Sequence, residues 1–172
     1  WAHALVAYLL GDDTAARLGR LTLNPAVHID PIGTVLLPVL GIPFGWAKPV
    51  PTIPTNFTRR FAMRTGSMLV AIAGPLSNLI IATLAAALLG LVWRLPSLAS
   101  AGGEGLVSLL LVLIRMNVGL AVFNALPIPP LDGHWVVEAV LPARFLRSWE
   151  AFKGNGQWVL LLVILAGGSL LA

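Results

Sequence analysis

Two residues of this chain place a side chain able to hold a metal or move a proton in strongly apolar surroundings: Asp132 and His3. Asp132 follows a nearly unbroken apolar run, at a point where Asn124, Pro127, Pro129, Pro130, Asp132 and Gly133 arrive within ten residues. Proline has no backbone donor, so a helix entering this stretch should break there. The freed backbone groups then need partners in protein or in a water-lined cavity, because lipid supplies none. A carboxylate at such a break is costly unless paired or bound to metal, which marks it as a candidate functional group. His3 sits in WAHALVAYLL, on one helical face with Ala7 and Leu10. Taken alone, it reads most plainly as a buried histidine hydrogen-bonded to a neighbouring helix.

The elements that must position these residues belong to a membrane. Of 172 residues, 58% are hydrophobic and 10% charged, where ordinary globular domains run about 45–50% and about 25%. The net charge is only +4, and the basic residues flank apolar runs. A nucleic-acid interface would want a clustered basic face with aromatic or polar readers, and none is present. Without cysteine, disulfides and thiolate metal sites are excluded. The chain begins at Trp1 with neither an initiator Met nor a basic stretch typical of a signal peptide, and is read as starting inside a longer protein.

Taken in order, residues 1–10 predict an apolar helix stopped by Gly11. Residues 34–47 are apolar but interrupted by Pro38, Gly41, Pro43 and Gly45, which suits a re-entrant segment better than a span of about 20 residues. Pro49, Pro51 and Pro54 favour extended backbone after it, so a short β-like loop is expected within Gly33–Phe57, with Val35, Leu37, Val39 and Ile42 on a strand edge beside the site. Residues 67–93 and 105–126 are long enough to span, the first closed by Trp93 and Arg94. Arg115 in the second is expensive and is expected to face the bundle, a cavity or a carboxylate. HWVVEAVLP is amphipathic, and residues 156–172 form a last apolar run. The Gly11–Thr65 and Leu126–Asn155 connections hold nearly all the basic residues, so the positive-inside rule makes them cytoplasmic. His3 and Asp132 both abut these connections.

Several strings follow one another in a recognisable order: G-D-x-T-A from Gly11, G-R-L-T-L-N-P from Gly19, H-I-D-P-x-G-T from His28, GWAKPVP from Gly45, G-P-x-x-N from Gly74, and N-x-x-P-x-x-x-L-D-G from Asn124. Together they resemble the site-2 protease family of intramembrane zinc metalloproteases, over essentially the whole chain. The resemblance implies an all-α polytopic membrane protein, with residues 1–172 as one membrane-embedded metalloprotease core. In that family a helix carries H-E-x-x-H, whose two histidines grip one zinc while the glutamate activates water. Trp1 and Ala2 then take the two x positions and His3 is the second histidine. The first histidine and the catalytic glutamate fall just before Trp1, outside this sequence, so this polypeptide by itself is expected to be inactive.

The same resemblance makes Asp132 the third protein ligand of Zn2+ and sets Asn124 beside the metal as an oxyanion or substrate contact. Gly74, Pro75 and Asn78 are candidates for substrate binding, with helix packing the competing explanation of these small and polar residues. His28 and His134 are read as non-ligands. The activity implied is hydrolysis of peptide bonds in transmembrane substrates within the lipid bilayer, at a site opening to the cytoplasm of a multi-pass protein of the cell membrane. Two other classes compete: a pseudoprotease scaffold that has lost His-Glu, and, less favoured, a small transporter, for which the paired broken helices of an internal repeat are missing.

Overall fold

The computed structural model describes residues 1–36, 39–41, 47–95 and 103–170. Their regular structure is all helix, with no strand among them, and they divide into two compact units, Trp1–Val70 and Ala71–Ala172.

The first unit opens with α1, Ala2–Leu9, and the four-residue α2, Thr14–Arg17. Gly11 turns the chain between them with φ of 104°, a left-handed value that costs glycine nothing and other residues a steric penalty. Apolar contacts among Ala7, Leu10, Phe57 and Val70 hold α1 against the later part of the unit. Short helical turns follow at Pro25–His28, Pro31–Leu36 and Pro54–Asn56.

The turn at Pro31–Leu36 corrects the expected β-like loop. The Asp30 carboxylate accepts the N–H groups of Ile32 at 3.0 Å and Gly33 at 2.8 Å, and its main-chain oxygen accepts from Thr34 at 2.9 Å. An Asx cap followed by proline is a helix start, whereas the proline-rich residues 47–53 further on form neither helix nor strand, and Ile53 is extended. Val35 belongs to this turn and Val39 to the helical backbone just after it, while Leu37 and Ile42 lie outside the described residues.

From Met63 a helix α3 runs to Arg94, and α4 covers Gly103–Asn124. Both are long and apolar enough to cross a membrane, and only 22% and 11% of their most apolar windows is buried, so most of this apolar surface faces outward. In the second unit they pack as a pair through Ala85, Leu89 and Val92 of α3 and Leu110 of α4, with Leu106, Val107, Leu113 and Ile114 alongside. Arg115, expected to face the bundle, a cavity or a carboxylate, lies off that stripe and is exposed, with no ion pair among the described residues. The helix ends at Asn124 as the prolines require. Two further helices complete the unit, α5 at Gly133–Val140 and α6 at Leu146–Leu170. Lys153 of α6 reaches the carboxylates of Glu138 on α5 and Glu150 on its own helix, each at 2.7 Å.

Candidate metal centre

His3 occupies the first turn of α1, half-buried, with Nδ1 2.8 Å from the main-chain oxygen of Val70. A carbonyl can only accept, so Nδ1 carries the hydrogen and the neutral ring keeps its acceptor lone pair on Nε2. Metal-ligating histidines are held in this way, with the far ring nitrogen donating to a carbonyl or carboxylate that fixes tautomer and orientation. Val70 is itself in the apolar core of the first unit, so the acceptor is firmly placed.

Three residues past the end of α1, Asp12 is fully buried. Its carboxylate accepts from the Ile53 N–H at 2.6 Å, the Thr14 hydroxyl at 2.5 Å, the Thr14 N–H at 3.2 Å and the Asn56 amide at 3.1 Å. Burial alone would push the carboxyl up, but these donors, led by Ile53, outweigh it and hold the group below the ordinary carboxylate range. Asp12 thereby ties the end of the histidine helix to a segment some forty residues away, and the Thr58 N–H adds a bond of 2.6 Å to the oxygen of Leu10. Sequence reasoning missed this role, although the Asp-x-Thr spacing of a local side-chain cap was a signal for half of it. Arg20, also buried, donates to the main-chain oxygens of Val27 and, at 3.4 Å, Pro49; no local pattern announced it.

In the second unit Asp132 stands, half-buried, at the start of α5 and makes no capping bond to that helix. The turn before it is fixed from behind by Gly133. A Cβ there would press into the main-chain oxygens of Ala125 and Leu126, so only glycine lets α5 start against the break, which explains the glycine of L-D-G. Asp132 forms one wall of a cavity of about 470 Å³, whose other walls include Ile72, Pro75 and Leu79 of α3, Pro127, and Val136 and Val137 of α5.

Pro75 and Asp132 are therefore brought together around one space. Gly74 and Asn78 share Pro75's helix, half-buried, but do not line the cavity; the Gly74 oxygen accepts from the Ser77 hydroxyl at 2.7 Å. Pro75 itself cannot donate to the carbonyl one turn back, that of buried Ala71. Asn124 also stays outside the lining, its amide donating to the oxygen of Leu120 at 3.0 Å. The remaining histidines have local partners: His28 Nε2 donates to the Thr22 oxygen at 3.1 Å, and buried His134 donates from Nδ1 to the Leu131 oxygen at 2.5 Å with its ring 4.6 Å from that of Trp135. Among the described residues no group of three or more His, Cys, Asp or Glu side chains comes together to hold a metal ion. His3 and Asp132 belong to different units, each with its own surroundings.

A family model described as Peptidase family M50 matches residues 90–167. A Bacillus subtilis (strain 168) protein named "Putative zinc metalloprotease YwhC" is 46% identical over 165 residues, covering 94% of this chain and 72% of its own length. Two proteins named "Putative zinc metalloprotease Rip2" also match. That of Mycolicibacterium smegmatis is 30% identical over 164 residues, 95% of this chain and 60% of its own, and that of Mycobacterium tuberculosis (strain H37Rv) is 31% identical over 167 residues, 96% and 61%. The chain thus spans about three fifths of the length of the Rip2 proteins. No solved structure matches. With a family of metalloproteases matched and a close relative covered over most of its length, the chain belongs to peptidase family M50, the site-2 proteases.

Proposed function

We propose that this chain forms the membrane-embedded core of a zinc-dependent endopeptidase that hydrolyses peptide bonds of transmembrane substrates, the chemistry of regulated intramembrane proteolysis. The observation that carries the proposal is the bond from His3 Nδ1 to Val70, which leaves Nε2 as the acceptor and holds the ring as a ligand needs to be held. His3 and Asp132 are two of about three protein ligands that a catalytic zinc takes. The third, and the glutamate that serves as base, fall before Trp1 in the register of H-E-x-x-H. The donor set fits zinc: neutral imidazole and carboxylate are its ordinary partners in hydrolytic sites. The chemistry supplied by the bound metal is Lewis-acid polarisation of the scissile carbonyl and acidification of water toward a pKa of about 7.

The chain's own residues do the rest. Val70 fixes the imidazole, and the Asp12 network fixes the helix that carries it. Gly133 sets the position of the Asp132 backbone, and Pro75 opens the cavity beside it. The multi-pass arrangement with a site facing the cytoplasm is supported by two long apolar helices and by basic connections next to both ligands. The test uses the protein extended upstream to carry His-Glu, in lipid vesicles. Asp132→Asn should lose stoichiometric zinc and cleave a transmembrane substrate at background rate while staying membrane-bound; His28→Ala and His134→Ala should keep the metal. Full zinc in Asp132→Asn with loss in either histidine variant would reverse the ligand assignment. Cleavage by the 172-residue chain alone at a chelator-sensitive rate would overturn the register of His3.

A further inference from the structure

We propose that the outer seam of α4 is a docking surface for a transmembrane helix of another protein, one that carries a carboxylate within its own span and pairs it with Arg115. The proposal rests on α4 crossing a membrane and is independent of the metal ligands. Leu106, Leu110 and Leu113 of α4 face α3. On the opposite side Gly105, Ser108, Val112, Arg115, Gly119 and Val122 are all exposed and recur at intervals of three and four. That alternation averages about 3.5 residues and makes the straight seam along which two helices pack side by side. A Cβ added at Gly105 or Gly119 meets nothing within 4 Å, so the backbone is open there, and small residues are what let membrane helices approach closely.

Arg115 decides the occupant. It lies nine residues before Asn124 and twelve after Gly103, more than two turns from either end of the helix. Snorkelling to the interface serves arginines near helix ends; one this deep needs a counter-charge at its own level. A carboxylate meets that need in the forked, two-bond geometry that arginine makes with it. The chain's seven carboxylates are committed elsewhere or out of reach. Asp12, Asp13, Asp30, Glu138 and Glu150 bond to other partners, and Asp132 is engaged in its own surroundings. Glu104 shares the Arg115 face of α4 but stands eleven residues, about 16 Å, up the helix. A second copy does not answer the charge either. Two copies in one bilayer point the same way, and seam on seam they would set Arg115 against Arg115.

The test measures helix association with the full-length protein in phosphatidylcholine vesicles. The probes are three dye-labelled leucine–alanine peptides of about twenty residues, long enough to span, with Glu, Gln or Lys at the centre. Energy transfer should show the Glu peptide bound roughly tenfold tighter than the Gln peptide, the scale of a strong polar contact between membrane helices. Arg115→Leu should erase that preference. Arg115→Glu should transfer it to the Lys peptide, a reversal that structural damage would not produce. Gly119→Leu should weaken the Glu peptide by filling the open space beside Arg115. None of these positions belongs to the stripe that meets α3, so helix content and membrane insertion should stay as they are. Equal binding of the Glu and Gln peptides, binding of neither, or a Glu preference that survives Arg115→Leu would overturn the proposal. Release of copurifying anionic lipid by Arg115→Leu, with the Glu and Gln peptides bound alike, would assign Arg115 to a lipid phosphate instead. Failure of the full-length protein to insert into vesicles would remove the membrane reading first, and the docking surface with it.

Discussion

Residues 1–70 and residues 71–172 are held together by different physics. In the first unit the backbone is irregular beyond α1, and polar side chains fix it by bonding to main-chain groups far away in sequence: Asp12 to Ile53, Arg20 to Val27 and Pro49, and, more locally, Asn24 to Ala26 and Asp30 to Ile32 and Gly33. In the second, long helices satisfy their own backbone, and contact comes from apolar stripes such as Ala85, Leu89 and Val92 against Leu110. The contrast follows from the duties of each part. A segment without regular structure must find a partner for each buried N–H and C=O, whereas a long helix satisfies nearly all of its own, its ends and the carbonyl opposite Pro75 excepted.

If that contrast is correct, a single buried acceptor should matter more in the first unit than any one contact in the second. Asp12→Ala deprives Ile53, Thr14 and Asn56 of their acceptor at once. With buried unsatisfied donors costing about 1–3 kcal/mol each, and not additively, a loss of about 3–4 kcal/mol is expected, read as detergent-titrated unfolding of α1 by a probe at Trp1. The same carboxyl gives the unit a pH signature. Its folded pKa is held below the unfolded value of about 3.9, so its contribution is complete above that value and drains away as pH falls through the lower, folded one. Asp12→Asn should flatten the acid limb of the unfolding curve. An unchanged limb would place the acid sensitivity elsewhere.

The second unit should be most sensitive where a backbone, not a side chain, is the neighbour. Gly133→Ala drives a methyl group into the Ala125 and Leu126 carbonyls, and relief requires moving the start of α5. About 2–3 kcal/mol is expected for such overpacking, and the proposed ligand role of Asp132, which moves with the helix, would add weakened zinc binding in the protein extended upstream. A variant with full stability and full zinc would show that α5 can slide.

These differences also decide what could be read from the chain. The spans were legible: residues 67–93 and 105–126 are close to the observed Met63–Arg94 and Gly103–Asn124, because apolar runs of that length have one cheap conformation in lipid. Their ends were less so, since Met63, Arg64 and Thr65 extend a helix that apolarity alone would start later. The break before Asp132 was legible from its prolines. The helical turn at Pro31–Leu36 was written in Asp30-Pro31 but masked by the prolines downstream. Partners that meet only through tertiary folding were invisible: Asp12 with Ile53, Lys153 with Glu138, and the cavity that unites Pro75 with Asp132 while leaving Asn78 and Asn124 outside its lining. The outward position of Arg115 depends on which stripe of α4 meets α3, and a helix that is apolar on every side gives no hint of that.

The ion pair between α5 and α6 tests whether the second unit contains any polar fastening of consequence. Glu138 is nearly buried and Lys153 mostly so, at 12% and 21% side-chain exposure, a setting in which removing one partner strands the other. Lys153→Met should cost about 1–2 kcal/mol, below the range for fully buried pairs because water still reaches the lysine. Adding Glu138→Gln should recover much of it, since the stranded charge is the main penalty. A double variant as unstable as the single one would mean that the lysine acts through packing against Trp135, whose ring centroid lies 5.6 Å from its ammonium.

The smallest effect should come from a cap whose influence ends with its own turn. Asp30 holds the first turn of Pro31–Leu36 through the N–H groups of Ile32 and Gly33, and Thr34 returns the favour by accepting the Asp30 N–H at 3.1 Å. Asp30→Ala removes the side-chain half of this exchange and leaves the main-chain bond to Thr34, so about 1 kcal/mol is expected, the usual value of a cap. Unlike Asp12, Asp30 is joined in these bonds only to residues within four of itself, so little of the loss should reach α1 or His3. Hydrogen exchange should therefore quicken at residues 32–36 and stay unchanged at residues 4–9 and 53–58, with zinc content of the full-length protein preserved. Faster exchange in the histidine helix would show that the polar bonds of the first unit form one connected network, and the division between local caps and the long-range Asp12 fastening would have to be redrawn.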